Sequence, residues 1–99
     1  MSDVFDALAH PVRREILKLL RDGPLSAGQL AEQFNLAKPT LSGHFTVLKN
    51  AGLITAERRG TTILYRLNMS VMEEAVAALM SLTDKEEGGK VWKFVHRSS

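Results

Sequence analysis

The 99-residue chain contains no cysteine, so disulfides, a thiol nucleophile and thiolate metal sites are all excluded. Aromatic residues are scarce at 6%, and the strands inferred below lack the exposed rings on which RNA-binding sheets stack bases. No apolar run approaches the ~20 residues of a membrane span. Met1 to Asp6 lacks the basic segment of an export signal, and the expectation is a cytoplasmic chain. There is no glycine-rich phosphate loop and no pair of carboxylates set for acid–base work. The chain is therefore expected not to be an enzyme and to need no cofactor.

What is present is an ordinary globular composition, 44% hydrophobic and 24% charged, sized for one domain. So small a domain buries a limited core, and a homodimer interface would supplement it. The net charge of +2 is unevenly spread. Residues 1–35 and 67–99 each sum to −1, whereas 36–66 sums to +4, with Lys38, Lys49, Arg58, Arg59 and Arg66 against Glu57 alone. A local basic patch matters more to a phosphate backbone than the net charge does.

Hydrophobic spacing predicts four helices, then two strands, then a fifth helix. A short first helix over about residues 2–9 carries Val4, Phe5 and Leu8 on one face. His10-Pro11 opens a second helix, with proline in the first turn and His10 as its cap. Gly23-Pro24 ends it. Ser26 and Gln29 form a capping box for a third helix, whose stripe is Ala27, Leu30, Ala31 and Phe34. A fourth helix spans about Lys38 to Asn50 with Leu41, Phe45 and Leu48 inward, and Gly52 is its left-handed stop. Ile54 to Arg58 and Thr61 to Leu67 then read as a hairpin turned at Arg59-Gly60, with Ile63, Tyr65 and Leu67 inward. Ser70 and Glu73 suggest a second capping box opening the last helix. That helix is apolar on more than one face, with Met72, Val76, Leu79 and Met80 in one set and Val71, Ala75, Ala78 and Leu82 in the other. A helix of this kind must be covered on several sides, and a second copy of the chain is the natural cover.

Helices three and four, joined by a short turn, make a helix-turn-helix whose second member enters the major groove of duplex DNA. Its outward residues are Lys38, Thr40, Ser42, Gly43, Thr46 and Lys49. Small hydroxyl residues let a helix sit deep against base edges, and lysines meet phosphate or guanine. Gly43 costs helix propensity, for which close approach to DNA is one reason. The hairpin tip, Arg58, Arg59, Gly60 and Thr61, is a basic wing suited to phosphates or the minor groove. Ser42 and His44 are no nucleophile–base pair, because residues two apart on a helix face different ways. A winged helix used only for protein–protein contact is the competing reading, and the basic wing speaks against it.

The segment Leu36 to Ile54, with its Lys38-Pro39-Thr40-Leu41-Ser42-Gly43-His44-Phe45 core, resembles the recognition signature of the ArsR (arsenical-resistance repressor) family. Val4 to Leu17 resembles that family's N-terminal signature, and Arg58-Arg59-Gly60 to Leu67 its wing. Lys38-Pro39 and the missing metal ligands resemble the sporulation-delay autorepressor branch. The resemblance implies a mainly α winged helix-turn-helix with a small β-hairpin, acting as a homodimeric, autoregulatory repressor on a palindromic operator. It places the dimer interface on the first and last helices, here Val4, Phe5, Leu8, Val71, Ala75, Ala78 and Leu82. It places His44 near DNA phosphate. Residues 1–84 would form the DNA-binding and dimerisation domain, and 85–99 a polar linker with a short basic, aromatic tail. The inducer or anti-repressor stays open.

Three departures from the family pattern are visible. His10 stands where aspartate is usual, and Ala37 where a serine often caps the recognition helix. The cysteines of metal-sensing members are absent from the third helix, and Ser70 to Thr83 holds no histidine. No metal site of the known types is expected, although His10 and His96 could in principle join across subunits.

Overall fold

The computed structural model describes residues 2–83, and the linker and tail expectations for 85–99 lie outside them. Helix α1 is Ser2–Leu8, α2 Pro11–Leu20, β1 Leu25–Ser26, α3 Ala27–Ala31 and α4 Lys38–Asn50. Strands β2, Ile54–Arg59, and β3, Thr62–Leu67, follow, and α5 is Met69–Ser81. The fold is mostly helical with a small antiparallel sheet ordered β1-β3-β2.

Local chemistry explains most boundaries. His10 caps α2: its Nδ1 accepts from the Val12 amide at 3.1 Å, with Pro11 in the first turn. Ser26 caps α3 with the full reciprocal box, accepting from Gln29 N at 3.1 Å while Gln29 Oε1 accepts from Ser26 N at 2.9 Å. Helix α4 ends in a Schellman motif. Gly52 takes φ +79°, its amide donates to Lys49 O at 3.0 Å, and Leu53 N donates to Leu48 O at 3.0 Å. Leu48 and Leu53, fully buried, supply the apolar contact that accompanies this motif. Gly60, with φ +62°, opens the two-residue loop Gly60-Thr61 of the hairpin; Thr61 needs no positive φ, as in a type II′ turn.

Each helix and the hairpin contributes to one core. Val4 and Ala7 of α1, Ile16, Leu17 and Leu20 of α2, Leu30 of α3 and the α4 triplet Leu41, Phe45 and Leu48 form one buried cluster with Leu53, Ile54, Tyr65 and Ala75. The rings of Phe45 and Tyr65 sit 4.6 Å apart. Burial raises the Tyr65 phenol above its usual pKa; apart from that phenol, no polar or charged side chain is buried among the described residues.

Four expectations change. The apolar stripe read into α3 continues past its end, because Gln33 and Phe34 donate three residues back, to Leu30 and Ala31, in a tight turn. Phe34 still packs on the core. The hairpin turn is one residue later than Arg59-Gly60, since Arg59 pairs with Thr62 in the ladder. The Ser70–Glu73 capping box does not form. Helix α5 begins at Met69 with Asn68 as an N-cap that makes no side-chain bond. The Asn68 amide donates to Leu53 O at 2.9 Å, at the end of β3, and the helix cap falls at Asn68 rather than at Ser70, leaving Ser70 inside the first turn. Finally, the two apolar sets of α5 divide differently. Val71, Met72 and Ala75 pack inward, while Val76, Leu79 and Leu82 are 53%, 48% and 80% exposed.

Candidate nucleic-acid interface

The recognition helix is held from behind and left open in front. Leu41, Phe45 and Leu48 recur every three to four residues and bury one face. The same period turns Lys38, Thr40, Ser42, Gly43, Thr46 and Lys49 to solvent, and all six are exposed. Ala37 caps α4 without a side-chain bond, so the first-turn amides are available to water or to a phosphate. Thr46 is not a free hydroxyl donor: its Oγ1 donates to Ser42 O at 3.1 Å, which leaves its lone pairs and methyl outward. His44 is half-buried, with Nδ1 3.2 Å from an Arg13 Nη and its ring 4.4 Å from that of His10. Of the residues assigned to DNA, it is the one that is not exposed.

Gly43 has open space where a side chain would stand, with no atom within 4 Å of the position a Cβ would take. Packing within the subunit therefore does not account for the glycine. Gly43→Ala is expected to stabilise the helix by ~1 kcal/mol and to weaken DNA binding if, as the sequence leads one to expect, the exposed face that would carry the added methyl meets the groove. Thermal melting and duplex affinity measured on one preparation check this; a variant both more stable and fully active would reduce Gly43 to a tolerated defect.

The wing is aligned with α4 by the sheet. Ser26 pairs with Leu64 of β3 while capping α3, so one residue joins the helix-turn-helix to the hairpin. In the β2–β3 register, Ile54, Ala56 and Arg58 stand opposite Leu67, Tyr65 and Ile63. Directly opposed residues share a face, so Arg58 lies on the Tyr65 side, toward the recognition helix. Arg59 lies on the other face with Glu57, to which its Nε donates at 2.8 Å. Arg58 takes part in no ion pair among the described residues. Gly60 and Thr61 are exposed at the tip. The two arginines, equivalent in sequence, thus differ in direction and in charge compensation.

Of the residues assigned to the dimer interface, Val4 and Ala75 are 6% and 1% exposed in the subunit's own core. Phe5, Leu8 and Val71 are half-buried against that core, Ala78 is half-exposed and Leu82 projects into solvent. Arg13, whose only signal in the sequence is its charge, joins α1 to the recognition helix. Its partners are backbone carbonyls and a histidine 31 residues away, and no local pattern announces them.

A buried-backed, polar-fronted recognition helix beside a basic two-stranded wing defines a winged helix-turn-helix DNA-binding protein. Residues 10–56 match the family described as bacterial regulatory protein, arsR family. The chain is 40% identical over 85 residues to the transcriptional repressor SdpR of Bacillus subtilis (strain 168), covering 86% of this chain and 94% of that one. It is 33% identical over 88 residues to the arsenical resistance operon repressor of Staphylococcus xylosus, covering 89% and 85%. Among solved structures, a possible transcriptional regulator for arsenical resistance superposes with TM-score 0.77 at 28% identity, covering 94% and 96%. The transcriptional repressor BigR from Xylella fastidiosa gives 0.66 at 31%, covering 85% and 86%. The chain belongs to the ArsR family and is a DNA-binding transcription regulator.

Proposed function

We propose that this protein is a homodimeric repressor that binds a palindromic operator, its own promoter among its targets, and responds to no transition metal. The observation that carries the DNA reading is the exposure of Lys38, Thr40, Ser42 and Lys49 on a helix whose Leu41, Phe45 and Leu48 are locked in the core. The relatives named for repression support the regulatory sign. The dimer is supported by the large apolar residues Val76, Leu79 and Leu82, which stay exposed on one side of α5. Near the start of the same helix, an apolar groove of about 400 Å³ runs between Leu8, Leu17, Leu67, Met69 and Met72. A two-fold axis through these surfaces would present two recognition helices to two half-sites.

The wing gives the test. Arg58→Ala is expected to weaken selected and random duplexes nearly equally, and to flatten the log–log salt dependence by about 0.9 for each phosphate it no longer neutralises. Arg59→Ala should do less, since Glu57 already compensates Arg59 on the far face. Titrations at several salt concentrations separate the two; a larger slope change at Arg59 would reverse the assigned face of the wing. Thr40→Ala and Ser42→Ala should instead erode preference among sequences while sparing random DNA, as residues at base edges do.

For the metal, no three potential ligands meet among residues 2–83, and His10 already spends Nδ1 on its helix cap. Duplex affinity should be the same with chelator and with added zinc. A large response to stoichiometric zinc, abolished by His10→Ala or His96→Ala, would establish a site shared between subunits.

A further inference from the structure

Arg13 stands where α1, α2 and α4 meet. Its Nε donates to Ala7 O at 2.8 Å and one Nη to Asp6 O at 3.1 Å, which closes the carbonyl end of α1. The other Nη lies 3.2 Å from Nδ1 of His44, on the recognition helix. One guanidinium therefore ties the first helix to the helix that faces DNA.

The bond fixes a proton. A guanidinium has donors only, so His44 Nδ1 must be the bare acceptor and the ring proton must sit on Nε2. A second proton can enter only at Nδ1, the atom that faces Arg13. Protonation thus replaces an acceptor with an N–H pointing at a donor, and sets an imidazolium beside a guanidinium. The His10 ring packs against the same ring in a tilted arrangement, with centroids 4.4 Å apart. The groups acting on His44 are His10 and Arg13, both from the start of α2, and no described carboxylate offsets them. Asp6 of α1 takes part through its backbone carbonyl.

We propose that Arg13 and His44 are positioning residues that lock the recognition helix to the end of the first helix, and that protonation of His44 opens this lock, so that sequence-selective DNA binding weakens as pH falls. This rests on the DNA-binding reading above. Burial, then His10, then Arg13 hold the His44 pKa below the ordinary 6.5. An unlocked or unfolded chain therefore takes up the proton before the locked one does. The lock is complete above about pH 6.5 and is lost as pH falls toward the lowered value. Added positive charge has the opposite effect on general attraction, raising affinity for any duplex. Acid should separate the two quantities: preference falls while binding to random DNA holds or rises.

The test compares a duplex enriched by the protein from a random pool with a scrambled duplex, at about pH 8 and about pH 5.5, on either side of the ordinary histidine range. Preference in the wild type should fall roughly tenfold on acidification, the equivalent of losing one hydrogen bond to a charged group. His44→Gln offers Arg13 an amide acceptor and cannot titrate, so its preference, whatever its size, should be the same at both pH values. His10→Asp keeps a capping side chain but places a carboxylate beside His44, so the loss should move to higher pH. Arg13→Lys, which cannot bridge the same three acceptors, should lower preference at both pH values.

A wild-type preference that is flat with pH, or an equal fall in His44→Gln, overturns the proposal. If no duplex is preferred even at about pH 8, the DNA-binding reading fails, and the lock is judged on the free protein. There, acid should lower the melting temperature of the wild type more than that of His44→Gln; equal lowering contradicts the lock.

Discussion

Leu79→Glu is expected to separate the protein into monomers and to remove high-affinity operator binding. Leu79 is 48% exposed in the single subunit, with Val76 and Leu82 beside it on one side of α5. A carboxylate there meets water in the monomer, so the subunit should keep its cooperative melting. In a dimer joined through this face, the same substitution buries two unpaired charges near the two-fold axis, where desolvation outweighs any gain. Losing the partner removes the linkage between half-sites, which contributes roughly 10²–10⁴ in affinity. Sedimentation at micromolar concentration should show a dimeric wild type and a monomeric variant, with random-duplex binding only mildly reduced. A wild-type monomer, or a variant that stays dimeric, would remove α5 from the interface.

Leu48→Ala should have the largest effect on the fold itself. Leu48 is fully buried, lies on the inner face of the recognition helix and accepts the Leu53 amide that closes the Schellman turn. Truncating so enclosed a side chain costs about 2–5 kcal/mol, depending on how far the site collapses. That is a large part of the stability of any small domain, typically about 5–15 kcal/mol. The helix would lose its main anchor opposite Thr40 to Lys49. Chemical denaturation should show a much lower midpoint, and DNA affinity should fall with the folded fraction. A loss below about 1 kcal/mol, at the level of an ordinary point substitution, would mean that α4 is anchored elsewhere.

Much of this architecture is legible in the sequence because it is periodic or punctuated. Leu41, Phe45 and Leu48 announce one face of α4, and Gly52 its end. Ser26 with Gln29 marks the start of α3, and His10-Pro11 the start of α2. The features that escape lack a period or depend on distant partners. Strand β1 is two residues long, too short to alternate, and is revealed only by its pairing with Leu64 and Tyr65. Helix α5 is apolar on more than one face, so no single stripe indicates which part faces inward, and packing alone selects Val71, Met72 and Ala75.

The wing shows how little separates a right element from a right orientation. Placing the turn at Gly60-Thr61, one residue beyond Arg59-Gly60, brings Arg59 into the ladder opposite Thr62. Facing is set by this register, since side chains alternate along a strand. Arg58 falls on the recognition-helix side and Arg59 beside Glu57, whose i, i+2 spacing from Arg59 is the one local signal of that ion pair. The Arg13–His44 bond has no such signal. It arises because α1, α2 and α4 converge, which is a property of the assembled core.

The central claim is that α4 and the wing read DNA as a symmetric pair. Footprinting on duplexes enriched from a random pool, with the protein's own promoter alongside, tests it most directly. The account predicts protection of a palindrome whose half-sites lie about 10–10.5 base pairs apart or a multiple of that, lost on Leu79→Glu and weakened on Arg58→Ala. Enrichment of no common sequence, or protection of a single asymmetric site by one subunit, would contradict it.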